Sequence, residues 1–162
     1  MSVGKVLLSF CHWASHSSFG HGVRESVWLF PCIEICHLLA LGLLGGTILI
    51  VNLRLFGLRF PSEPVAELAR DVRPWMIGSL GTMLVSGFFL FSSEAVKMYG
   101  NPAFRSKMIF LALAVAYTFT IHRKVTMSAE TEASPLGRKL AALVSLLLWA
   151  GVGLSGRIIG YV

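Results

Sequence analysis

The sequence predicts an all-α membrane four-helix bundle with an N-terminal interfacial amphipathic helix, one integral membrane domain spanning residues 1–162. Three observations carry this. Four apolar stretches, at about residues 28–55, 75–97, 104–122 and 140–160, are each long enough to cross a ~30 Å hydrocarbon core at ~1.5 Å rise per residue. Hydrophobic residues make up 55% of the chain and charged ones 14%, with a mean hydropathy of +0.73, whereas a soluble domain carries about 25% charged residues. The stretches lack the alternation of a barrel strand, and helices are then the remaining way to satisfy a backbone in lipid.

The N-terminal segment, residues 3–16, is not a signal peptide: its apolar run after Lys5 is short, is broken by Cys11, His12 and His16, and has no small-residue cleavage site behind it. It reads as a helix lying in the interface with Val3, Leu7, Phe10 and Trp13 toward lipid. Gly20 and Gly22 turn the chain, and Arg24-Glu25 stand at the edge of the first span. That span holds Glu34, His37 and Asn52. The second is rich in Gly, Ser and Thr, the third begins near Lys107 and ends at His122, and the fourth ends on Arg157. Between spans one and two, Pro64 to Arg70 predicts a short amphipathic surface helix started after Ser62. The polar segment 127–138 between spans three and four is punctuated by Pro135 and Gly137. Neither connection is long enough for a domain, and no internal repeat is present.

The net charge of +6 does not indicate nucleic acid, because the 14 Lys and Arg residues sit at the ends of the apolar runs rather than in one patch. Lys5, Arg24, Lys97, Arg105, Lys107 and Arg157 fall on the side of the termini. Arg54, Arg59, Arg70, Arg73, Arg123, Lys124, Arg138 and Lys139 fall on the other. The positive-inside rule then places the two connecting loops in the cytoplasm of a bacterial cell and both termini in the periplasm.

Within span one, at ~100° per residue, Glu34, Gly45 and Asn52 lie within about 20° of one line and His37 about 60° to one side. Gly42 and Gly46 lie on the side away from His37, spaced to admit a neighbouring helix, and Gly78, Thr82 and Ser86 give span two a similar surface. An ionisable residue inside a membrane helix costs roughly 2.5–3.5 kcal/mol on insertion scales and calls for a partner. Glu34, His37, Glu94, Lys97, Arg105, Lys107 and Arg157 approach the same end of the bundle, where they are expected to form a cluster of charge pairs.

Three kinds of site are open there. A metal site would use Glu34 and His37 with Cys36 or Cys32, since Glu-x-x-His places two ligands on adjacent helix faces; His12 and His16, one turn apart beside Cys11 and His21, are a second candidate set. A b-type haem would use His37 or His122, the two histidines inside spans, but their unequal depths disfavour one haem shared between them. A quinone or similar amphipathic ligand would be hydrogen-bonded by His37 and Lys107, with Arg157 close by. The three cysteines contain no C-x-x-C pair and no disulfide framework.

The chain also resembles a family of small bacterial four-helix integral membrane proteins of unassigned function, distantly similar to the CopD-like copper-resistance membrane domain. The resemblance covers nearly the whole chain. It rests on Arg24-Glu25-Ser26, on Phe30-Pro31 through Ile33-Glu34 to His37-Leu38, on Leu53-Arg54-Leu55, on Asn101 to Arg105 with Lys107-Met108, and on Ser145 to Trp149 with Gly156-Arg157. Where that family favours an Asp before Leu-Arg-Leu, this chain has Asn52. The resemblance implies copper as the metal to expect first.

No nucleophile and base pair or phosphate loop is visible, so the expectation is a non-enzymatic membrane protein. It is read as binding or transporting metal ions through Glu34 and His37. The alternatives are an electron-transfer or quinone-handling subunit of a respiratory complex, or a structural or assembly subunit. The lipid bilayer is its first partner, with other membrane subunits or a second copy beside it.

Overall fold

The structure, a computed structural model, describes residues 8–13, 22–23, 25–58, 64–127 and 134–161. Four helices long and apolar enough to cross a membrane run through it: α1 (Leu29–Leu55), α2 (Val65–Ser93), α3 (Pro102–Met127) and α4 (Pro135–Tyr161). A short helix, Ala95–Gly100, links α2 to α3. The bundle end that carries residues 8–13, this short helix and Tyr161 is called the upper end, and the opposite one the lower end.

Local chemistry explains the boundaries. Asn101 caps α3, its Oδ1 accepting from the backbone N–H of Ala103 at 2.9 Å and of Phe104 at 3.3 Å, and Pro102 follows at the first helical position, where a missing N–H removes no bond. Ser134 and Pro135 repeat the device at α4, the Gly137 N–H donating to Ser134 Oγ at 3.1 Å. Pro135 and Gly137 thus start a helix rather than interrupt a loop. α1 closes on Gly57 with φ +79°, a left-handed conformation that glycine adopts without the penalty of a side chain.

The amphipathic segment Pro64 to Arg70 is not a separate surface helix: it is the first two turns of α2, which passes through Pro74 without breaking. A helix of 29 residues is about 43 Å long, roughly 13 Å more than the hydrocarbon core. Its first turns therefore project past the core. Pro74 deprives the Arg70 carbonyl of its bond, and at that level water can replace it. Trp75, largely exposed, marks the interface beside it.

α1 packs mainly on α2 and α3 mainly on α4, and the two pairs meet through α1 against α4. Ala40, Leu44 and Ile48 of α1 pack with Leu80 and Met83 of α2 at mid-depth, while Val51, Leu55, Val65 and Ala142 form a second core at the lower end. The outer surface is apolar as well: Leu38, Leu39, Leu49, Val85, Ile109, Leu113, Leu147 and Leu154 are all exposed. No span has more than 33% of its most apolar window buried, and such a surface requires lipid around it. The chain is a polytopic membrane protein.

Two expectations about helix surfaces are corrected here. The buried stripe of α1 runs through Ala40, Leu44, Ile48, Val51 and Leu55, centred on the His37 side, so Glu34 and Gly45 face outward, and Asn52 is buried because α3 and α4 close over it at the lower end. No helix approaches Gly42 or Gly46 among the described residues, where a methyl group at either would meet nothing within 4 Å. The close approach falls instead at Gly151 of α4, where an added Cβ would lie 2.7 Å from the ring of Phe110 on α3. At the upper end, residues 8–13 are helical and Cys11 is buried against Ala95, with Phe10 stacked on Phe91 at 6.5 Å. The segment is seated on the bundle through Cys11 and Phe10, while Trp13 stays exposed; Val3 and Leu7 lie outside the described residues.

Candidate functional site

The two histidines inside the spans occupy opposite ends of the bundle. His37 is eight residues into α1 and His122 twenty residues into α3, and both helices run downward, so their depths differ by about 18 Å. A haem shared between them has no geometric basis.

His122 sits at the end of a π-helical turn, Thr118–His122, that interrupts α3. Such a turn holds one residue more than an α-turn and shifts the face presented below it. Thr118 there accepts from the Trp149 indole at 3.1 Å, and the Tyr117 hydroxyl donates to the Ala141 carbonyl at 3.1 Å, which ties α3 to α4. His122 Nε2 lies 2.9 Å from Asn52 Oδ1, and Asn52 Nδ2 donates to Ser145 Oγ at 3.2 Å. With its amide nitrogen given to Ser145, Asn52 presents oxygen to His122, so His122 Nε2 carries the proton. Asn52 is wholly buried and Ser145 nearly so. This chain of side chains binds α1, α3 and α4 together at one level.

His37, half-buried, faces α2. Its Nδ1 is 2.9 Å from Ser86 Oγ, and the Ser86 hydroxyl donates to the Thr82 carbonyl at 2.6 Å. A hydroxyl has one proton, and this one is committed to the carbonyl, so His37 Nδ1–H donates to Ser86 and Nε2 keeps the lone pair. Gly87 makes the contact possible, because a Cβ there would stand 3.1 Å from His37 Cε1. Lys107 of α3 is the nearby charge that acts on the His37 ring, and its chain lies 3.6 Å from where a Cβ on Gly156 would stand. Small residues on α2 and α4 thus seat a histidine and a lysine inside the upper end.

Beside this pair, α1 and α2 part to form an open groove of about 440 Å³. Cys32, Ile33 and Cys36 wall it on α1; Gly81, Val85 and Phe89 wall it on α2, with Thr82 and Ser86 as its polar atoms. The Thr82 hydroxyl donates to the Gly78 carbonyl at 3.0 Å, so both hydroxyls turn lone pairs rather than protons toward the groove.

The remaining candidates do not gather. Glu34 is exposed and has no hydrogen-bonding or ionic partner among the described residues; Lys97 pairs with Glu94 at 3.4 Å, Arg105 stacks over Tyr99 and Arg157 over Tyr161, each 5.4 Å from the ring centre. The expected cluster of charge pairs therefore resolves into separate local contacts, and His37 with Lys107 is what it leaves. Among the described residues no three His, Cys, Asp or Glu side chains come together to hold a metal ion. Cys36 is an exposed free thiol on the groove, Cys11 is buried with its thiol pushed up by that burial, and His12 is exposed. His16 and His21 lie outside the described residues. Ser86, read from sequence as packing, proves to be the partner of His37. Gly87, Thr118 and Ser145 give no signal in one dimension, because their roles lie in what other helices bring to them.

No curated protein and no solved structure matches the chain. Nothing in the comparisons supports a CopD-like relationship. The model of DUF6644, a family of unknown function, matches residues 10–162, and the chain belongs to that family.

Proposed function

We propose that the protein is a non-enzymatic membrane module that holds a quinol-type molecule, an apolar ligand with a hydroxyl-bearing head, in the α1–α2 groove. The observation that carries this reading is the His37–Ser86–Thr82 chain at the groove floor. A groove of about 440 Å³ is of the size that takes a small molecule, and its walls are apolar apart from a few polar atoms. With both hydroxyl protons committed to main-chain carbonyls, the groove accepts hydrogen bonds better than it donates them. A quinol O–H fits that floor, and the oxidised quinone, which only accepts, fits it less well. The ring of His37 stands behind Ser86, and its Nε2, which keeps the lone pair, gives a proton released from the ligand a place to go.

The test is equilibrium binding of a short-tailed quinol and its quinone to the purified protein in detergent. The quinol is expected to bind at least tenfold more tightly, a difference of about 1.4 kcal/mol. Ser86→Ala and His37→Ala are each expected to erase that preference, and Gly81→Phe, which fills the groove, to abolish binding of both. Binding that is indifferent to all three variants would sink the reading.

A second reading rests on Cys32 and Cys36, free thiols one turn apart on the same groove wall. Soft Cu(I) takes two thiolates readily, and the resemblance noted in the sequence points the same way. Copper measured at one ion per chain, and lost in Cys32→Ser/Cys36→Ser, would move copper binding or transport ahead of the quinol.

A further inference from the structure

At the lower end, a crevice of about 50 Å³ lies between α2 and the π-turn of α3, separate from the groove and from the His37 pair. Arg73 projects from α2 and Arg123 directly follows the π-turn, and both line the crevice. Both are exposed, and neither has a carboxylate partner among the described residues. Above the two arginines, toward the middle of the bilayer, the walls become apolar, with Met76 and Phe119 leading toward the lipid surface. The His122 ring closes the inner side, its Nε2 already engaged by Asn52.

From this arrangement we infer that the crevice binds the phosphate headgroup of an anionic phospholipid. Two arginines lining one small opening supply planar guanidinium forks that match the oxygens of a phosphodiester, which each can hold through paired N–H donors. The apolar wall on their bilayer side suits the acyl chain that a lipid brings and a free anion does not. The site also stands where lipid headgroups lie: Arg73 precedes Trp75, which marks the interface, and Arg123 is within the last two turns of α3. The π-turn gives the site its shape, because it sets Thr118 and His122 inward and leaves Arg123 at the rim. The site is independent of the quinol reading and stands or falls without it.

The test is native mass spectrometry of the detergent-purified protein titrated with phosphatidylglycerol, phosphatidylcholine or inorganic phosphate. Retention of one phosphatidylglycerol in clear preference to phosphatidylcholine is expected, with a loss of at least tenfold in Arg73→Gln/Arg123→Gln. Lys124→Gln, next to Arg123 in the chain but not part of the crevice lining, serves as the control and is expected to retain the lipid. Both arginines are exposed, so the double variant is expected to fold; a melting temperature equal to that of the parent chain checks this. Equal retention of the two lipids, undiminished binding in the double variant, an equal loss in Lys124→Gln, or capture of inorganic phosphate with no preference between lipids would each overturn the proposal.

Discussion

His122 and His37 are the same residue type on two different spans, and the bundle uses them in opposite ways. His122 is buried and spends its Nε2 proton on Asn52, which in turn spends its amide on Ser145, so three helices are joined by atoms that face one another. His37 is half-exposed, bonds to one helix only, and has a groove and a lysine beside it. A buried polar group bonded across helices by its own chain acts as a tie; a half-exposed one, next to an open groove, is available to a ligand. The distinction lies in the surroundings of the ring and not in the ring.

The sharpest way to break the comparison is to remove each ring. His122→Ala opens a cavity and strands the Asn52 oxygen in an apolar interior, so it is expected to destabilise the bundle by about 2–4 kcal/mol. His37→Ala is expected to lower stability by under ~1 kcal/mol, since its exposed side already faces open space. Reversible unfolding in mixed micelles measures both, and equal losses would erase the contrast. Next in size, Gly151→Ala drives a methyl into the Phe110 ring on the α3–α4 seam and is expected to lose about 1–3 kcal/mol. Gly42→Ala, at a glycine that meets nothing, is expected to be neutral or slightly stabilising in the same assay.

Asn52→Asp sharpens the comparison further, because it places at that position the acid favoured by the resembling family. The His122 N–H would then donate to a carboxylate oxygen and the Ser145 hydroxyl to the other, so every partner stays satisfied and a stability change within about 1 kcal/mol is expected. A loss as large as that of His122→Ala would mean that the amide donor to Ser145 is indispensable. The smallest effect concerns accessibility. A lipid-soluble maleimide is expected to label Cys32 and Cys36 quickly and Cys11 slowly, and a bound quinol to slow labelling at the two groove cysteines without changing that at Cys11. Membrane-impermeant labelling of cysteines placed at Leu58 and Tyr161 would decide which end of the bundle faces the cytoplasm.

The four spans were legible in the sequence because hydropathy and length are summed over many residues, and lipid imposes the same demand at every turn. Pro135 and Gly137 misled because proline marks a helix start as readily as a loop. Span two, expected to start at about residue 75, begins ten residues earlier because an interfacial helix tolerates at Pro74 a lost bond that a buried one would not. The site was half legible: Glu34, His37 and Lys107 announce themselves as ionisable residues inside apolar runs, yet the spacing of Glu34 and His37 along α1 says nothing about which of them a second helix will cover.

Sequence by itself determined that this chain is a four-helix membrane bundle and which ionisable groups it carries into the lipid, because these follow from local composition and the bilayer's thickness. The tertiary structure alone decided that Glu34 faces outward, that Ser86 and Gly87 receive His37, and that His122 locks onto Asn52 and Ser145. The physical reason is that a hydrogen bond between side chains 49 or 70 residues apart depends on how helices cross and rotate about their axes. Packing sets that rotation across all four spans at once.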